Sequence, residues 1–383
     1  MISTSTRLEG IGEYYFSEKL RELETLTRSG KNIINLGIGN PDMSPHPDVI
    51  KTLHDEVVKK TVHGYQSYRG SLVFRMAISE WYKNKYAVNL DPESEILPMM
   101  GSKEGIMHIC MAWLNAGDQA LVPDPGYPTY PAAVKLAGGT AVAYALREEN
   151  NWYPDFEQLS NTNLSKVKLM FVNYPNMPSG QKGSRELFDR IVRFGADNNI
   201  LVIHDNPYSF ILNDEPLSLL GIDGAMQNVL ELNSLSKSHN MAGWRVGMLC
   251  GAAENISSVL RFKSNMDSGM FLPVQLAAAK ALTLGDDWHA SLNSLYAARR
   301  VVAWELLDSL NCKYSKLQAG MFVWAKIPSS YDSSYAMSDD ILYNKDVFIT
   351  PGEIFGNEGK KYIRISLCTP EEKILEAYNR IKK

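Results

Sequence analysis

Three short apolar runs, each stopped by proline or polar residues, constrain this fold more than any other feature of the chain. Ala120-Leu121-Val122 ends at Pro123-Asp124-Pro125-Gly126, Lys168-Leu169-Met170-Phe171-Val172 at Asn173-Tyr174-Pro175, and Ile200-Leu201-Val202-Ile203 at His204-Asp205. Continuous apolar strands are buried on both faces, and helices must cover them. Helical stretches do lie around them. Residues 47–61, for example, open with a proline and carry Val49, Ile50, Leu53, Val57 and Val58 on one face. From about residue 46 to 270 the alternation predicts an α/β fold, a large domain with a mostly parallel sheet between helices. Ligands of such sheets gather beyond the carboxyl ends of the strands.

The remainder reads differently. Residues 273–282 suit a buried helix and 291–310 a long amphipathic one, followed by short strands at 321–325, 347–350 and 362–366 and a final helix from about 370. This predicts a smaller α+β domain. The polar N-terminal arm has no core of its own, and Asn35-Leu36-Gly37 is expected to join the small domain. The expected division is 1–45 for the arm and part of the small domain, 46–280 for the large domain and 281–383 for the small one.

Composition excludes several function classes. The net charge is −4, with no basic run interleaved with aromatics, which argues against nucleic acid. No apolar run approaches the roughly 20 residues of a membrane span, and the N-terminus lacks the apolar core of a signal peptide. The four cysteines form no Cys-x-x-Cys, which fits a reduced, cytoplasmic protein. The seven histidines show no paired ligand spacing, so no metal is expected.

Lys237 stands in Asn233-Ser234-Leu235-Ser236-Lys237-Ser238, with Gly243-Trp244-Arg245-Val246-Gly247 beyond it. A lysine amine forms a Schiff base with an aldehyde. Nearby hydroxyls and a guanidinium hold a phosphate dianion through charge-assisted hydrogen bonds. Pyridoxal 5′-phosphate (PLP) joins those two groups in one molecule. Asp205 ends a strand expected to be buried, where an unpaired carboxylate is costly, and the protonated ring nitrogen of PLP supplies a cation. Tyr208 is a candidate for the ring's phenolic oxygen. Gly101-Ser102-Lys103-Glu104-Gly105 precedes a helix predicted over 106–114, and a helix start aims N–H groups and its positive dipole end at an anion. Tyr127, between Gly126 and Pro128, stands where an aromatic can stack on a flat ring. Arg364 lies in an apolar strand and needs an anion, for which a carboxylate fits its fork. Singly, each has an ordinary alternative: a solvated loop lysine, a helix N-cap, a packed tyrosine, a structural ion pair. Tyr65, in Gly64-Tyr65-Gln66-Ser67-Tyr68-Arg69-Gly70, reads as an exposed loop residue.

Together these motifs resemble the fold-type I PLP enzymes, and within them the class I/II aminotransferases. The resemblance runs from about Asn35 to Ser366 and is most specific at Ser234-x-Ser236-Lys237 with Gly243-x-Arg245-x-Gly247. Asp205-Asn206-Pro207-Tyr208, Gly37-x-Gly39-x-Pro41-Asp42 and Pro351-Gly352-x-x-Phe355-Gly356 follow the family's order. The resemblance implies that Lys237 binds PLP and moves the substrate's proton, that Asp205 pairs with the pyridine nitrogen and that Tyr208 reaches the phenolic oxygen. Tyr127 would stack on the ring. Gly101, Ser102, Lys103, Ser234, Ser236 and Arg245 would surround the phosphate. Tyr65 would reach the phosphate of a neighbouring subunit, implying a homodimer with shared active sites. Arg364 would grip the substrate α-carboxylate with the Gly39 backbone beside it. The implied reaction moves an amino group from an L-α-amino acid to a 2-oxo acid, with 2-oxoglutarate the expected acceptor. A C–S β-lyase on the same scaffold is the nearest rival and a non-catalytic amino-acid sensor a more distant one.

One departure from the family stands out. Where the family has Asn-Asn-Pro-Thr-Gly, this chain has Asn176-Met177-Pro178-Ser179-Gly180. Met177 replaces an asparagine that donates to the phenolic oxygen, and a thioether cannot donate. Either Asn176 or Asn173 shifts to cover the contact, or the contact is lost.

Overall fold

The computed structural model describes residues 2–382. Strands are numbered in chain order. β1 (Ile34–Asn35) precedes a seven-stranded sheet of β2 (Ile96–Met99), β3 (Gln119–Asp124), β4 (Thr140–Ala145), β5 (Val167–Val172), β6 (Leu201–Asp205), β7 (Val229–Ser234) and β8 (Gly247–Gly251). The spatial order is β2-β8-β7-β6-β5-β3-β4. The pairs from β7 to β4 are all parallel, while β8 runs antiparallel to both β7 and β2 and is the single reversed strand. The expected α/β class is therefore the observed one. The three apolar runs became β3, β5 and β6. Phe171, Ile203 and Leu232 at the sheet centre have no exposed surface, and burying each contributes roughly 1.5–3 kcal/mol.

A second core gathers Ile34, Leu36, Tyr296, Val323, Ile363 and Ile374 among others. Its sheet holds β9 (Lys313–Tyr314), β10 (Phe322–Lys326), β12 (Thr350–Pro351) and β13 (Tyr362–Ser366) in the antiparallel order β12-β13-β10-β9. β11 (Val347–Phe348) pairs instead with β1, in parallel. The single strand expected over 347–350 is thus two, because the chain changes partner at Ile349. The N-terminal segment is tied in further by the Ser366 N–H donating to Leu36 O (2.7 Å).

Helix ends differ modestly from expectation. The helix expected over 47–61 is Pro47–Val57, and of its proposed apolar face Val49 is buried while Ile50 and Val58 are exposed. The helix expected from Ile106 starts at Ser102. Gly105 lies inside it, where an added Cβ would stand 2.5 Å from the Leu232 side chain, so this glycine serves close packing on β7 rather than the helix start.

Two contacts fasten the smaller core onto the carboxyl ends of the sheet. Asp124 at the end of β3 accepts from the N–H groups of Asn357 (3.1 Å) and Glu358 (3.0 Å). The Gly126 N–H donates to Phe355 O (2.8 Å). Arg299, from the long helix Asp286–Ser309, forks onto both Asp42 oxygens at 2.7 and 2.8 Å. That bidentate pair fixes the segment around Gly39 against the same cleft.

Candidate functional site

Between the two cores lies a cavity of about 420 Å³, a size suited to a small-molecule site. Its floor is the carboxyl edge of the sheet. β6 delivers Asp205, β7 delivers Ser234, and the short turn after β7 delivers Ser236 and Lys237. Tyr208 follows β6, Tyr127 follows β3, and Ser102 with Lys103 opens the helix Ser102–Trp113. β13 reaches across from the other core with Arg364. Residues far apart in sequence thus face one space, as expected at the strand ends of a parallel sheet.

Lys237 points its Nζ at Gly39 O, 2.5 Å away. Burial lowers its affinity for a proton, and the Arg364 and Arg245 guanidinium groups lower it further against an opposing effect of Cys368. Its amine is therefore neutral at lower pH than an ordinary lysine's, which makes it a better nucleophile and base.

Asp205 is only 5% exposed. Its Oδ2 accepts from the Tyr130 hydroxyl at 2.8 Å, while Oδ1 is buried with no protein partner. Burial pushes its carboxyl up to about 6, with Tyr130 and His204 pulling the other way. A carboxylate with an orphan buried oxygen awaits a cation. Tyr130 was not anticipated from sequence. The one available signal is its position three residues after Tyr127, in the first turn of the helix Thr129–Leu136.

The anion cradle is built from backbone and hydroxyls. Gly101 has φ +88, and a Cβ there would lie 2.1 Å from Arg245 Nη2. Only glycine allows the guanidinium to lie against this helix start. Arg245 donates to Ala242 O (2.9 Å). Ser234 Oγ lies 2.8 Å from Ser236 Oγ and accepts the Ser236 N–H at 3.1 Å. Gly101 itself does not line the cavity; Ser102, Lys103, Ser234, Ser236 and Arg245 do.

Arg364 is buried with no carboxylate partner among the described residues. Its Nη2 donates to Gly37 O (2.9 Å), its Nη1 faces Met177 Sδ (3.2 Å) and its Nε is unpaired. Three rings cage it, with the guanidinium carbon 3.9 Å from the centre of Phe322, 4.6 Å from Phe355 and 5.5 Å from Phe16. Burial lowers its pKa to about 10. Arg364 makes no ion pair with a carboxylate among the described residues, although it lines the cavity.

The run around Met177 needs a correction. Asn176 does not reach the cavity. Its amide nitrogen donates to Asn173 O (3.3 Å), and its oxygen accepts from Ser179 Oγ (2.7 Å). Asn173 does line the cavity, but its amide nitrogen donates to Asp205 O (2.6 Å) and its oxygen accepts the Met177 N–H (2.7 Å). Asn176 is thus taken up within its own loop, while Asn173 ties that loop to the end of β6 and keeps one amide N–H without a partner among the described residues. Tyr65 is also far from the cavity of its own chain, with 93% of its surface exposed.

The sequence pattern of the family described as Aminotransferase class I and II matches residues 31–381. The chain belongs to that family. This aminotransferase is 38% identical to an LL-diaminopimelate aminotransferase of Halothermothrix orenii, covering 100% of this chain and 98% of that one. It is 39% identical to an enzyme of the same name from Oleidesulfovibrio alaskensis, over 98% and 97% of the two chains. In three dimensions it resembles substrate-bound BacF from Bacillus subtilis with a TM-score of 0.95 and 34% identity, covering 100% and 98% of the chains. Members of the family depend on PLP, and the chain is a PLP-dependent aminotransferase. These relatives give no support to the lyase alternative. No helix among the described residues is long and apolar enough to cross a membrane.

Proposed function

We propose that this aminotransferase binds PLP through Lys237 and transfers the amino group of a dicarboxylic amino acid of the LL-diaminopimelate type to 2-oxoglutarate. The unpartnered Oδ1 of Asp205 at one end of the cavity and Arg364, with its unpartnered Nε and no carboxylate partner among the described residues, at another fit the cofactor and a substrate carboxylate. Asp205 would face the ring nitrogen, Tyr208 the phenolic oxygen and Tyr127 the ring face. The backbone at Ser102 and Lys103, the hydroxyls of Ser234 and Ser236, and Arg245 would take the phosphate, with Gly101 making room for the guanidinium. PLP supplies an aldehyde and a cationic ring that draws electrons from the substrate's Cα.

The chain's own groups do the rest. Arg364 binds the α-carboxylate through donors left free by Met177, whose sulfur is a weak acceptor. Phe16, Phe322 and Phe355 shield that contact from water, which strengthens it. Lys237, held toward neutrality by burial, would take the proton from the substrate Cα and return it to the cofactor's C4′, on the far side of the nitrogen.

Lys103 supports the dicarboxylic reading. Its Nζ lies 4.3 Å from the centre of the Tyr14 ring at the cavity wall and has no carboxylate within salt-bridge distance among the described residues. With Arg364, Arg245 and Lys237 committed elsewhere, Lys103 is the cation remaining for a far carboxylate, which both 2-oxoglutarate and LL-diaminopimelate carry. The relatives' names agree with this reading.

A homodimer fits the exposed apolar residues Val58, Val73 and Met76 and the outward-facing Tyr65, which would complete the phosphate site of the partner. The test is a donor and acceptor screen. Lys237→Ala should abolish turnover of every pair. Lys103→Met should raise KM for 2-oxoglutarate and LL-diaminopimelate about tenfold or more while leaving monocarboxylic pairs unchanged. Equal KM values for wild type and Lys103→Met refute the dicarboxylic reading. Full turnover by Lys237→Ala refutes the reaction.

A further inference from the structure

Lys263 closes the helix Ala253–Lys263 and is 1% exposed. Its ammonium lies 2.9 and 2.7 Å from the two oxygens of Asp267 and donates to Tyr68 O at 3.3 Å. Asp267 Oδ1 also accepts the Gly269 N–H at 2.9 Å. Gly269 packs so closely on the 64–70 segment that a Cβ there would lie 2.7 Å from Gln66 O and 3.0 Å from Ser67 O. The buried pair therefore holds Tyr68 O directly and, through Gly269, sits against Gln66 and Ser67, immediately after Tyr65.

Glu104, His108 and Asp267 bring ligand atoms within 4.8 Å of one another. That trio has metal-ligand chemistry, but the Lys263 ammonium already sits on both Asp267 oxygens. Glu104 also accepts the Met100 N–H at 2.8 Å, just ahead of the helix start that carries Ser102. The cluster thus braces the phosphate cradle of its own chain on one side and the Tyr65 segment on the other. Burying a full ion pair is costly and tends to be retained where it specifies geometry. Tyr65 itself is 93% exposed and has no side-chain hydrogen bond among the described residues, so its direction depends on what holds the backbone beside it.

We propose that Lys263 and Asp267 are positioning residues that present Tyr65 to the phosphate site of a second copy of this chain. The inference rests on the dimer reading above. The experiment is a double-mutant cycle on the full-length protein, reading the PLP dissociation constant by fluorescence titration of the PLP-free form and its melting temperature separately. Lys263→Met alone leaves a buried carboxylate unpaired and is prone to misfold, so the cycle uses Lys263→Met with Asp267→Asn, which removes both charges. Tyr65→Phe should weaken PLP binding about tenfold, the size of one lost charge-assisted hydrogen bond. The neutralised pair should weaken it by a similar factor, and the combination should be no worse than Tyr65→Phe alone. Losses that multiply to about a hundredfold would mean the pair acts independently of Tyr65 and would overturn the proposal. So would a lowered melting temperature with unchanged PLP affinity. If Tyr65→Phe binds PLP like wild type, the shared-site reading of Tyr65 itself falls and the positioning role falls with it.

Discussion

Replacing Asp205 with asparagine should stabilise the PLP-free protein at neutral pH. The carboxyl is buried beneath the cavity with one unpartnered oxygen, and its pKa stands at about 6 in place of 3.8. Each pKa unit corresponds to about 1.4 kcal/mol, so the charged form costs the folded PLP-free chain roughly 3 kcal/mol. The sign follows from proton binding. The folded carboxyl keeps its proton to higher pH than the unfolded one, so the cost is absent below about pH 4 and fully present once the pH has risen past about 6. Asparagine is neutral throughout and keeps an acceptor for Tyr130. Urea unfolding of PLP-free wild type and Asp205→Asn, followed by intrinsic fluorescence, should show a stability gap favouring the variant that widens by about 2 kcal/mol between about pH 4.5 and 8. The PLP-loaded proteins should show the opposite order at pH 8, because the ring nitrogen would lose its counter-ion. A gap independent of pH in the PLP-free proteins would refute the account of Asp205 as a carboxylate poised for a cation.

Three further outcomes follow from the same geometry. Tyr130→Phe removes the one hydroxyl that donates to Asp205, so in the same urea series the PLP-free variant should lose stability to a higher pH than wild type does. Gly101→Ala places a Cβ 2.1 Å from Arg245 Nη2 at a φ of +88; backbone strain of about 1–3 kcal/mol and a displaced guanidinium should weaken PLP binding at least tenfold, read by fluorescence titration. Met177→Asn restores the amide donor that the family carries at this position, and the pH midpoint of the cofactor's absorbance should fall; superimposable wild-type and variant curves would show that the contact is not lost in this chain.

Much of this molecule was legible in the chain. Uninterrupted apolar runs became the parallel centre of the sheet because a strand with no polar face must be covered on both sides. The residues that stop those runs had to lie at strand ends, so Asp205, Tyr127 and Tyr208 fell on the lining of the cavity. Lys237 and Arg245 were visible because their chemistry is written in adjacent residues. Tyr130, Tyr14 and Phe16 were not, since a ring lining a cavity and a ring filling a core have the same local sequence.

Position along the chain determined the strands, their order of chemistry and the identity of the reactive groups, because hydrophobic periodicity and local motifs depend on near neighbours. Tertiary structure alone decided which donors and acceptors remain unused. Asn173 and Asn176 read alike in sequence, yet Asn173 lines the cavity and donates to Asp205 O, while Asn176 turns into its own loop. Asp205 Oδ1 and Arg364 Nε have no partner among the described residues because no nearby element reaches them. A hydrogen bond is made or withheld by groups far apart in the chain, and that accounting exists only once the chain has folded.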